Sequence, residues 1–213
     1  MDANRAARMK SFEMAAPEAF RLDDETQSTR ALYGLQDGDT SSFAWKCRVA
    51  RRLTERGVRF IELIAGDTRI DKHWDAHANP SKYLALARNV DRPIAGLLAN
   101  LKWCGMLDET LVVLTSEVGR GPLVPAPGTG GRGHHARCRS SWIAGGGIKG
   151  GMTYGASDEF GDDVAEDVVT SHDFQATLLH QLGIDHARLA YRHAGRDFRL
   201  TDVHGKVVRE ILA

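Results

Sequence analysis

The chain has 213 residues, of which 42% are hydrophobic and 26% charged, and its 28 lysines and arginines balance its 28 aspartates and glutamates. This composition predicts an ordinary soluble globular domain with a sizeable core, and the charge balance gives no general attraction to nucleic acid or to an anionic membrane. No segment approaches the roughly 18 to 20 apolar residues of a membrane span. The N-terminus also lacks the apolar run of a signal peptide.

The first half of the chain is predicted to contain a helix, a buried strand and a second helix. Residues 41–57 carry apolar side chains at helical spacing. The apolar run VRFIELIAG, residues 58–66, is typical of a buried strand. Residues 81–105 are helical again, but Pro93 lies too deep for one straight helix. The spacing therefore predicts a kink there, or a new helix capped by Asp91.

The second half again alternates strands with helices. Residues 109–117 form the clearest buried strand, and residues 140–147 begin as another. The glycine- and proline-rich stretch 119–138 between them is long for a simple connector, and such loops often carry function. An amphipathic helix is predicted over 171–184, and the tail is predicted as strand, turn and helix.

This order of elements predicts one α/β domain over residues 1–213, with a mostly parallel sheet flanked by helices. The apolar residues of the helix at 171–184 that are expected to face inward are Phe174, Leu178 and Leu182. The three cysteines, Cys47, Cys104 and Cys138, are widely spaced and form no CxxC pair. We interpret them as buried or incidental thiols rather than zinc ligands or a disulfide framework.

Three groups of polar residues follow predicted strands or lie in the glycine loop, where open α/β sheets bind ligands. They are Asp75 with His77, Glu117 with Arg120, and His134 with His135. Carboxylate oxygens and imidazole nitrogens are ligands of Zn²⁺, Mn²⁺ and similar ions. One short loop cannot surround an ion, so a metal site would draw its ligands from several of these groups.

Each group also has a structural alternative. Asp75 could cap the helix that follows it, with His77 in solvent. Glu117 and Arg120 could form a surface ion pair, although a guanidinium beside a metal could instead hold a tetrahedral oxyanion bidentately. The two adjacent histidines could belong to a disordered surface loop.

Other polar clusters are interpreted as structural. His172 precedes Asp173 at a helix start, where the carboxylate complements the helix dipole, and His204 in the tail is interpreted as a surface or packing residue. A small basic cluster comprises Arg51, Arg52 and Arg56. No aromatic residues are interleaved with it, so a solvated helix face is favoured over nucleic-acid binding.

Several motifs resemble those of the bacterial family known as domain of unknown function 1501. They are WDAH, DETLVVLTSEVGR, GRGHH and WIAGGGIKGGMTYGASDEFG, in that order, and the ending HDFQATLLHQLGIDHARLAYRHAGRDFRLTDVHG is similar to the family's C-terminal signature. The resemblance runs from about residue 11 to the end. The family is related to the alkaline phosphatase and sulfatase superfamily of α/β sandwiches, in which paired metal ions activate a nucleophile and bind a phosphate or sulfate ester.

The resemblance implies a divalent metal cofactor, which could be Zn, Mn, Ca or Mg. It implies that Asp75 and His77 are a metal-ligand pair and that Glu117 is the acid at a strand end. It also implies that His134 or His135 is the late histidine ligand. Arg120 would then be the catalytic residue that holds the ester oxyanion.

The sequence departs from the family pattern in two ways, and both lower the catalytic activity that we expect. The family has EFGRTP and GRDHHP where this chain has EVGRGP and GRGHHA, so Gly133 replaces an aspartate that could bind or orient a ligand. The superfamily's early aspartate ligand and its Ser/Thr nucleophile are not matched in this sequence. We therefore expect the C-terminal part of a hydrolase-like protein, with negligible turnover by itself.

The expected substrate is a small-molecule or polymer phosphate or sulfate ester. A non-catalytic metal-binding or ligand-binding module of the same fold is the alternative. No nucleic-acid partner and no membrane span are expected. A parallel sheet that lacks part of its strands would expose an edge, which predicts self-association.

Overall fold

The computed structural model describes residues 17–21, 23–66, 74, 79–122 and 130–213. Within these ranges the protein is a mixed α/β structure with five α-helices and small antiparallel sheets. Among the described residues, no helix is both long and apolar enough to cross a membrane. The chain divides into two compact units. The single domain predicted over 1–213 stays a prediction.

The first unit comprises the described residues up to Cys104 together with 130–131. Its helices are α1 (Pro17–Phe20), α2 (Gln27–Tyr33), α3 (Phe43–Glu55) and α4 (Lys82–Trp103). Helix α3 confirms the helix predicted over 41–57. Its N-cap Ser42 accepts a hydrogen bond from the backbone N–H of Trp45 at 3.0 Å, and the face that contains Cys47 is buried.

Helix α4 runs through Pro93 without interruption, so no new helix begins at Asp91. Its buried face includes Leu97 and Leu101, which pack in the core of the unit. Gly96 allows α4 to pass close to α2, because a Cβ atom there would lie only 3.0 Å from the carbonyl oxygen of Leu32.

The strand predicted over 58–66 is wrong, because these residues form no regular secondary structure. A strand needs a hydrogen-bonded neighbour, and an apolar run does not itself supply one. Phe60 is 81% exposed rather than buried. The carbonyl oxygen of Ile64 accepts a hydrogen bond from the side chain of Lys46 at 3.2 Å instead of a ladder bond.

Within the basic cluster, the solvated face predicted from sequence is wrong for Arg52, whereas Arg56, just beyond the end of α3, is exposed. Arg52 is buried, and its guanidinium pairs with Asp24 and Glu25. The neighbouring Arg48 is fully buried and pairs with the same two carboxylates. The hydrogen bond from Arg52 lowers the pKa of Asp24 below its usual value. Arg48 and Arg52 therefore form part of the core of the first unit.

The second unit comprises the described residues of 105–127 and 132–213. Its strands are β1 (Val112–Leu114), β2 (Gly119–Arg120), β3 (His134–His135), β4 (Trp142–Ala144), β5 (Ala156–Ser157), β6 (Val164–Glu166), β7 (Ala190–His193) and β8 (Arg196–Arg199). They form four two-stranded sheets that pair β1 with β4, β2 with β3, β5 with β6 and β7 with β8, all antiparallel. The mostly parallel sheet predicted from the order of elements is not formed among the described residues.

The prediction of parallel strands was based on the alternation of strands and helices along the chain. That alternation does not show where the chain turns back on itself, and the turns are what make these strand pairs antiparallel. Strands β1 and β4 confirm the predicted strand positions, although both are shorter than predicted. Gly145 follows β4 with φ +74°, and its Cβ would lie within 2.4 Å of the carbonyl oxygens of Leu107 and Thr110. A glycine at this close approach lets the chain pass the 3-10 turn Leu107–Glu109 that precedes β1.

Helix α5 (Ser171–Gln181) confirms the helix predicted over 171–184. Its N-terminus is a capping box in which Thr170 and Asp173 bond each other's backbone and side chain. The inward position predicted for Leu182 is wrong, because this residue is 55% exposed, whereas Ala176 and Thr177 are buried. In the tail, the predicted C-terminal helix is a single 3-10 turn, Arg209–Ile211.

Candidate functional site

Two of the three polar groups predicted from sequence meet in one small ladder. Strands β2 and β3 pair antiparallel so that Arg120 lies opposite His134 and Gly119 lies opposite His135. A further bond from the N–H of Gly121 to the carbonyl of Gly133, at 3.0 Å, extends this pairing. Directly opposite residues project from the same face of a ladder, so the ladder brings the arginine and the first histidine together.

Glycine at position 119 is what allows this ladder to form. A Cβ atom there would lie 1.9 Å from the carbonyl oxygen of Cys138, which is closer than any two such atoms can approach. Gly119 thus serves close backbone approach. The glycine could be seen in the sequence, but the sequence did not show that the segment around Cys138 approaches it.

The two adjacent histidines differ in environment because successive residues of a strand point to opposite faces. His134 is exposed, whereas His135 is 7% exposed. The Nε2 atom of His135 lies 3.0 Å from the carbonyl oxygen of Gly161, and its Nδ1 accepts a bond from the N–H of Arg137 at 3.4 Å. A hydrogen on Nε2 and a lone pair on Nδ1 match these two contacts. Through these bonds His135 connects the segment at Arg137 to the segment at Gly161.

A depression of about 310 Å³ lies beside the ladder. His134, Gly133, Arg137 and Asp162 are among the residues that line it. Arg137 and Asp162 form an ion pair at 2.6 Å, and this hydrogen bond raises the pKa of the arginine. The depression therefore has a fixed charge pair at one side and an imidazole at another.

Glu117 lies in the turn between β1 and β2, and its side chain is exposed. Both it and Arg120 belong to the described part of the chain, and no ion pair joins them, so the surface-pair alternative is not formed. The turn is held instead by Arg139, whose Nη1 donates to the carbonyl oxygens of Ser116 and Glu117 at 3.2 and 3.3 Å.

Arg139 was not singled out by sequence. Its Nη2 also bonds the hydroxyl of Ser171 at 3.3 Å, and its guanidinium lies 6.0 Å from the ring centroid of Phe174. It thus connects the turn that contains Glu117 to helix α5. No short-range pattern distinguishes such an arginine from a solvated one.

The remaining predicted metal ligands, Asp75 and His77, lie outside the described residues. In the described part of the chain, no three side chains among histidine, cysteine, aspartate and glutamate converge closely enough to hold a metal ion. The structure thus brings Arg120 and His134 together, keeps His135 on the opposite face, and leaves Glu117 in the preceding turn.

The described residues define a mixed α/β protein in which Arg120, His134 and His135 lie on a short antiparallel ladder. The chain belongs to the family described as protein of unknown function (DUF1501), whose sequence model matches residues 2–212. Neither the curated proteins nor the solved structures that were searched include a match to this chain.

Proposed function

We propose that this protein is a divalent-metal-dependent hydrolase-like protein that acts on a phosphate or sulfate ester, related in fold and chemistry to the alkaline phosphatase and sulfatase superfamily. The observation that carries the proposal is the opposition of Arg120 and His134 in the β2–β3 ladder. These residues lie on two different strands, and both have the chemistry that an ester oxyanion or its metal would need.

Arg120 is the proposed oxyanion-binding residue. A guanidinium presents a planar pair of N–H donors that matches two oxygens of a tetrahedral phosphate or sulfate. Its position on a short strand, with the backbone held by the ladder, limits how far the group can move. Such preorganisation favours the binding of developing negative charge in the transition state.

The proposed metal ligands are Asp75, His77, Glu117 and one histidine of the adjacent pair. Hard oxygens and imidazoles suit Zn or Mn, and an oxygen-dominated set would also suit Mg or Ca. Both ring nitrogens of His135 already make hydrogen bonds. His134 is exposed and lies opposite Arg120 in the ladder, which favours it as the imidazole ligand. A bound ion would polarise the ester oxygens and lower the pKa of a coordinated water.

The candidate set lacks a nucleophile, because the superfamily's Ser/Thr nucleophile has no counterpart among these residues. We therefore expect metal binding without appreciable ester turnover by this chain alone. A non-catalytic metal-binding or ligand-binding module is the second candidate. Gly133 favours it, because this residue lines the depression beside His134 where the family pattern has an aspartate.

The test is metal content together with turnover of p-nitrophenyl phosphate and p-nitrophenyl sulfate. His134→Ala, Glu117→Ala and Asp75→Ala/His77→Ala should each lower the bound Zn or Mn that remains after dialysis. His193→Ala is the matched control, because this exposed histidine lies on strand β7, outside the candidate set. Metal retention unchanged in all three variants would overturn the metal site, and robust turnover that survives the loss of Asp75 and His77 would overturn the proposed mechanism.

The same measurement separates the two candidates. Bound metal that survives dialysis and falls in these variants supports the hydrolase-like site. Binding of inorganic phosphate or sulfate that weakens in Arg120→Lys, in a chain that retains no metal, supports the ligand-binding module, since lysine keeps the charge but loses the bidentate geometry.

A further inference from the structure

A second cavity, of about 630 Å³, opens at the N-terminus of helix α5 and is remote in sequence from the β2–β3 ladder. Two imidazoles line it. His172 belongs to the first turn of α5, and His204 belongs to the turn that follows β8. Their ring centroids lie 5.1 Å apart with an interplanar angle of 50°. Within the described residues, neither imidazole has a hydrogen bond or an ion pair.

This separation matches the geometry of two imidazoles bound to one ion. A zinc–nitrogen bond of about 2.0 to 2.1 Å puts each ring centroid roughly 3.2 Å from the metal, so a tetrahedral angle gives a centroid separation of about 5.2 Å. The observed 5.1 Å agrees with that value.

The loop that bears His204 is fastened to the helix that bears His172. The Oδ1 atom of Asp173 accepts a hydrogen bond from the backbone N–H of Lys206 at 2.7 Å. Its Oδ2 atom accepts bonds from the backbone N–H and the hydroxyl of Thr170 at 2.9 and 2.6 Å. One carboxylate therefore fixes both the first turn of α5 and the residue two positions after His204.

Gly205 brings the same loop into direct contact with the helix. Its φ is +95°, and a Cβ atom there would lie 3.2 Å from the Cβ atom of Ala176 and from the carbonyl oxygen of His172. The buried Thr177 adds a further link, because its hydroxyl accepts a bond from the backbone N–H of Val208 at 3.0 Å. The fold thus fixes the backbone positions of the two histidines relative to each other.

We propose that His172 and His204 form a two-histidine site for a divalent transition-metal ion, with water or an exogenous ligand in the remaining positions. Imidazole ligands suit Zn, Cu and Ni and do not suit Ca or Mg. Asp173 acts as a positioning residue. Its charge in the first turn also offsets the partial positive charge of the helix N-terminus, which would otherwise oppose a cation.

Lys206 also lines the cavity. A substitution at this residue distinguishes a metal site from the main alternative, which is an anion site. An ammonium group weakens the binding of a cation and strengthens the binding of an anion. Lys206→Met should therefore leave Zn²⁺ affinity unchanged or raise it. Inorganic phosphate that binds here, with a loss in Lys206→Met and with no Zn²⁺ binding, would overturn the proposal in favour of an anion site.

The test is titration of the full chain with Zn²⁺ and with Ni²⁺ by calorimetry, in a Glu117→Ala/His134→Ala background that excludes the ladder site. His172→Ala and His204→Ala should each weaken the same binding isotherm by about tenfold or more, because each removes one of two protein ligands. His180→Ala is the matched control, since this exposed histidine lies in the last turn of α5. An isotherm that responds to only one of the two substitutions, or to neither, would contradict a shared ion.

A second variant tests the positioning without removing a ligand. Gly205→Ala keeps both imidazoles but pushes the loop away from α5, so it should weaken Zn²⁺ binding by roughly 10- to 100-fold, as loss of supporting contacts does at other metal sites. Circular dichroism of each variant establishes that it is folded, and His172→Gln and His204→Gln replace any alanine variant that is not. Full Zn²⁺ affinity in a folded Gly205→Ala protein would show that the loop does not position His204.

Discussion

Arg48 donates a hydrogen bond from Nε to Oε1 of Glu25 at 2.6 Å, with both side chains removed from solvent, at 0% and 8% exposed. The remaining donors of the guanidinium bond the carbonyl oxygen of Ala19 at 2.8 Å and the carboxylate of Asp24 at 3.2 Å. A buried charge is tolerated only when such partners replace water. The stability of the first unit therefore depends on these polar contacts.

Removal of Glu25 should be costly. Glu25→Ala leaves Arg48 buried without its main counter-charge, so we expect a loss of about 3 to 5 kcal/mol in the free energy of unfolding. The measurement is urea denaturation followed by circular dichroism. Asp37→Asn is the matched control, because Asp37 is 97% exposed in its pair with Arg30 and should contribute about 1 kcal/mol or less. Equal losses in the two variants would show that burial does not strengthen the pair with Arg48.

The three cysteines should differ sharply in reactivity. Cys47 is fully buried, and burial raises the pKa of its thiol to about 12, so almost no thiolate is present at pH 8. Cys104 is exposed. Partial burial and the nearby carboxylates of Asp163 and Asp158 raise the pKa of Cys138.

We expect Ellman's reagent at pH 8 to label Cys104 first, Cys138 more slowly, and Cys47 only after unfolding. Cys104→Ser should abolish the fast phase alone. Labelling of Cys47 in the native protein at a rate near that of Cys104 would contradict its burial.

The carboxylate of Asp173 should make the stability of the second unit depend on pH. Burial raises its pKa, but the hydrogen bonds from Thr170 and from the N–H of Lys206 outweigh this effect and lower the pKa below 3.8. A carboxylate with a depressed pKa in the folded state stabilises the protein above its unfolded pKa, and this contribution is lost as the pH falls through the lower folded pKa.

Asp173→Asn should therefore lower the Tm at pH 7, by the equivalent of about 1 kcal/mol for a weakened N-cap. The difference from the unsubstituted protein should shrink as the pH falls below 3.8 and through the lower pKa of folded Asp173, because the aspartate then loses its charge and resembles the uncharged asparagine. Glu159→Gln, a change at an exposed carboxylate, is the control and should leave the profile unaltered. A Tm difference that is constant from pH 7 to pH 2.5 would show that the charge of Asp173 contributes nothing.

Gly119 should tolerate no side chain. The Cβ of Gly119→Ala would meet the carbonyl oxygen of Cys138 at 1.9 Å, and backbone must move to relieve the contact. We expect a loss of about 1 to 3 kcal/mol in the free energy of unfolding, together with faster amide exchange at Gly121, whose N–H bonds Gly133 across the ladder. Gly150→Ala is the matched control, because nothing lies within 4 Å of its added Cβ. Unchanged exchange at Gly121 would contradict the register of β2 and β3.

Sequence patterns predicted those features of the site that depend on residue type. Glu117, Arg120 and the histidine pair were identified as polar groups in or beside a glycine-rich loop, and Arg120 and His134 do lie opposite each other. The difference between His134 and His135 was not predictable, because it depends on Gly161, a residue 26 positions away that meets only one of the two rings. The pairing of His172 with His204 was missed for the same reason.

By itself the sequence determined the family of the chain, its mixed α/β class, and the places of helices α3, α4 and α5. Helical hydrogen bonds and caps join residues a few positions apart, so a short stretch of sequence is enough to predict a helix. Strand partners and buried charges depend on residues far away in sequence. Only the tertiary structure therefore decided that β1 pairs antiparallel with β4, that Phe60 is exposed, and that Arg48 and Arg52 are buried.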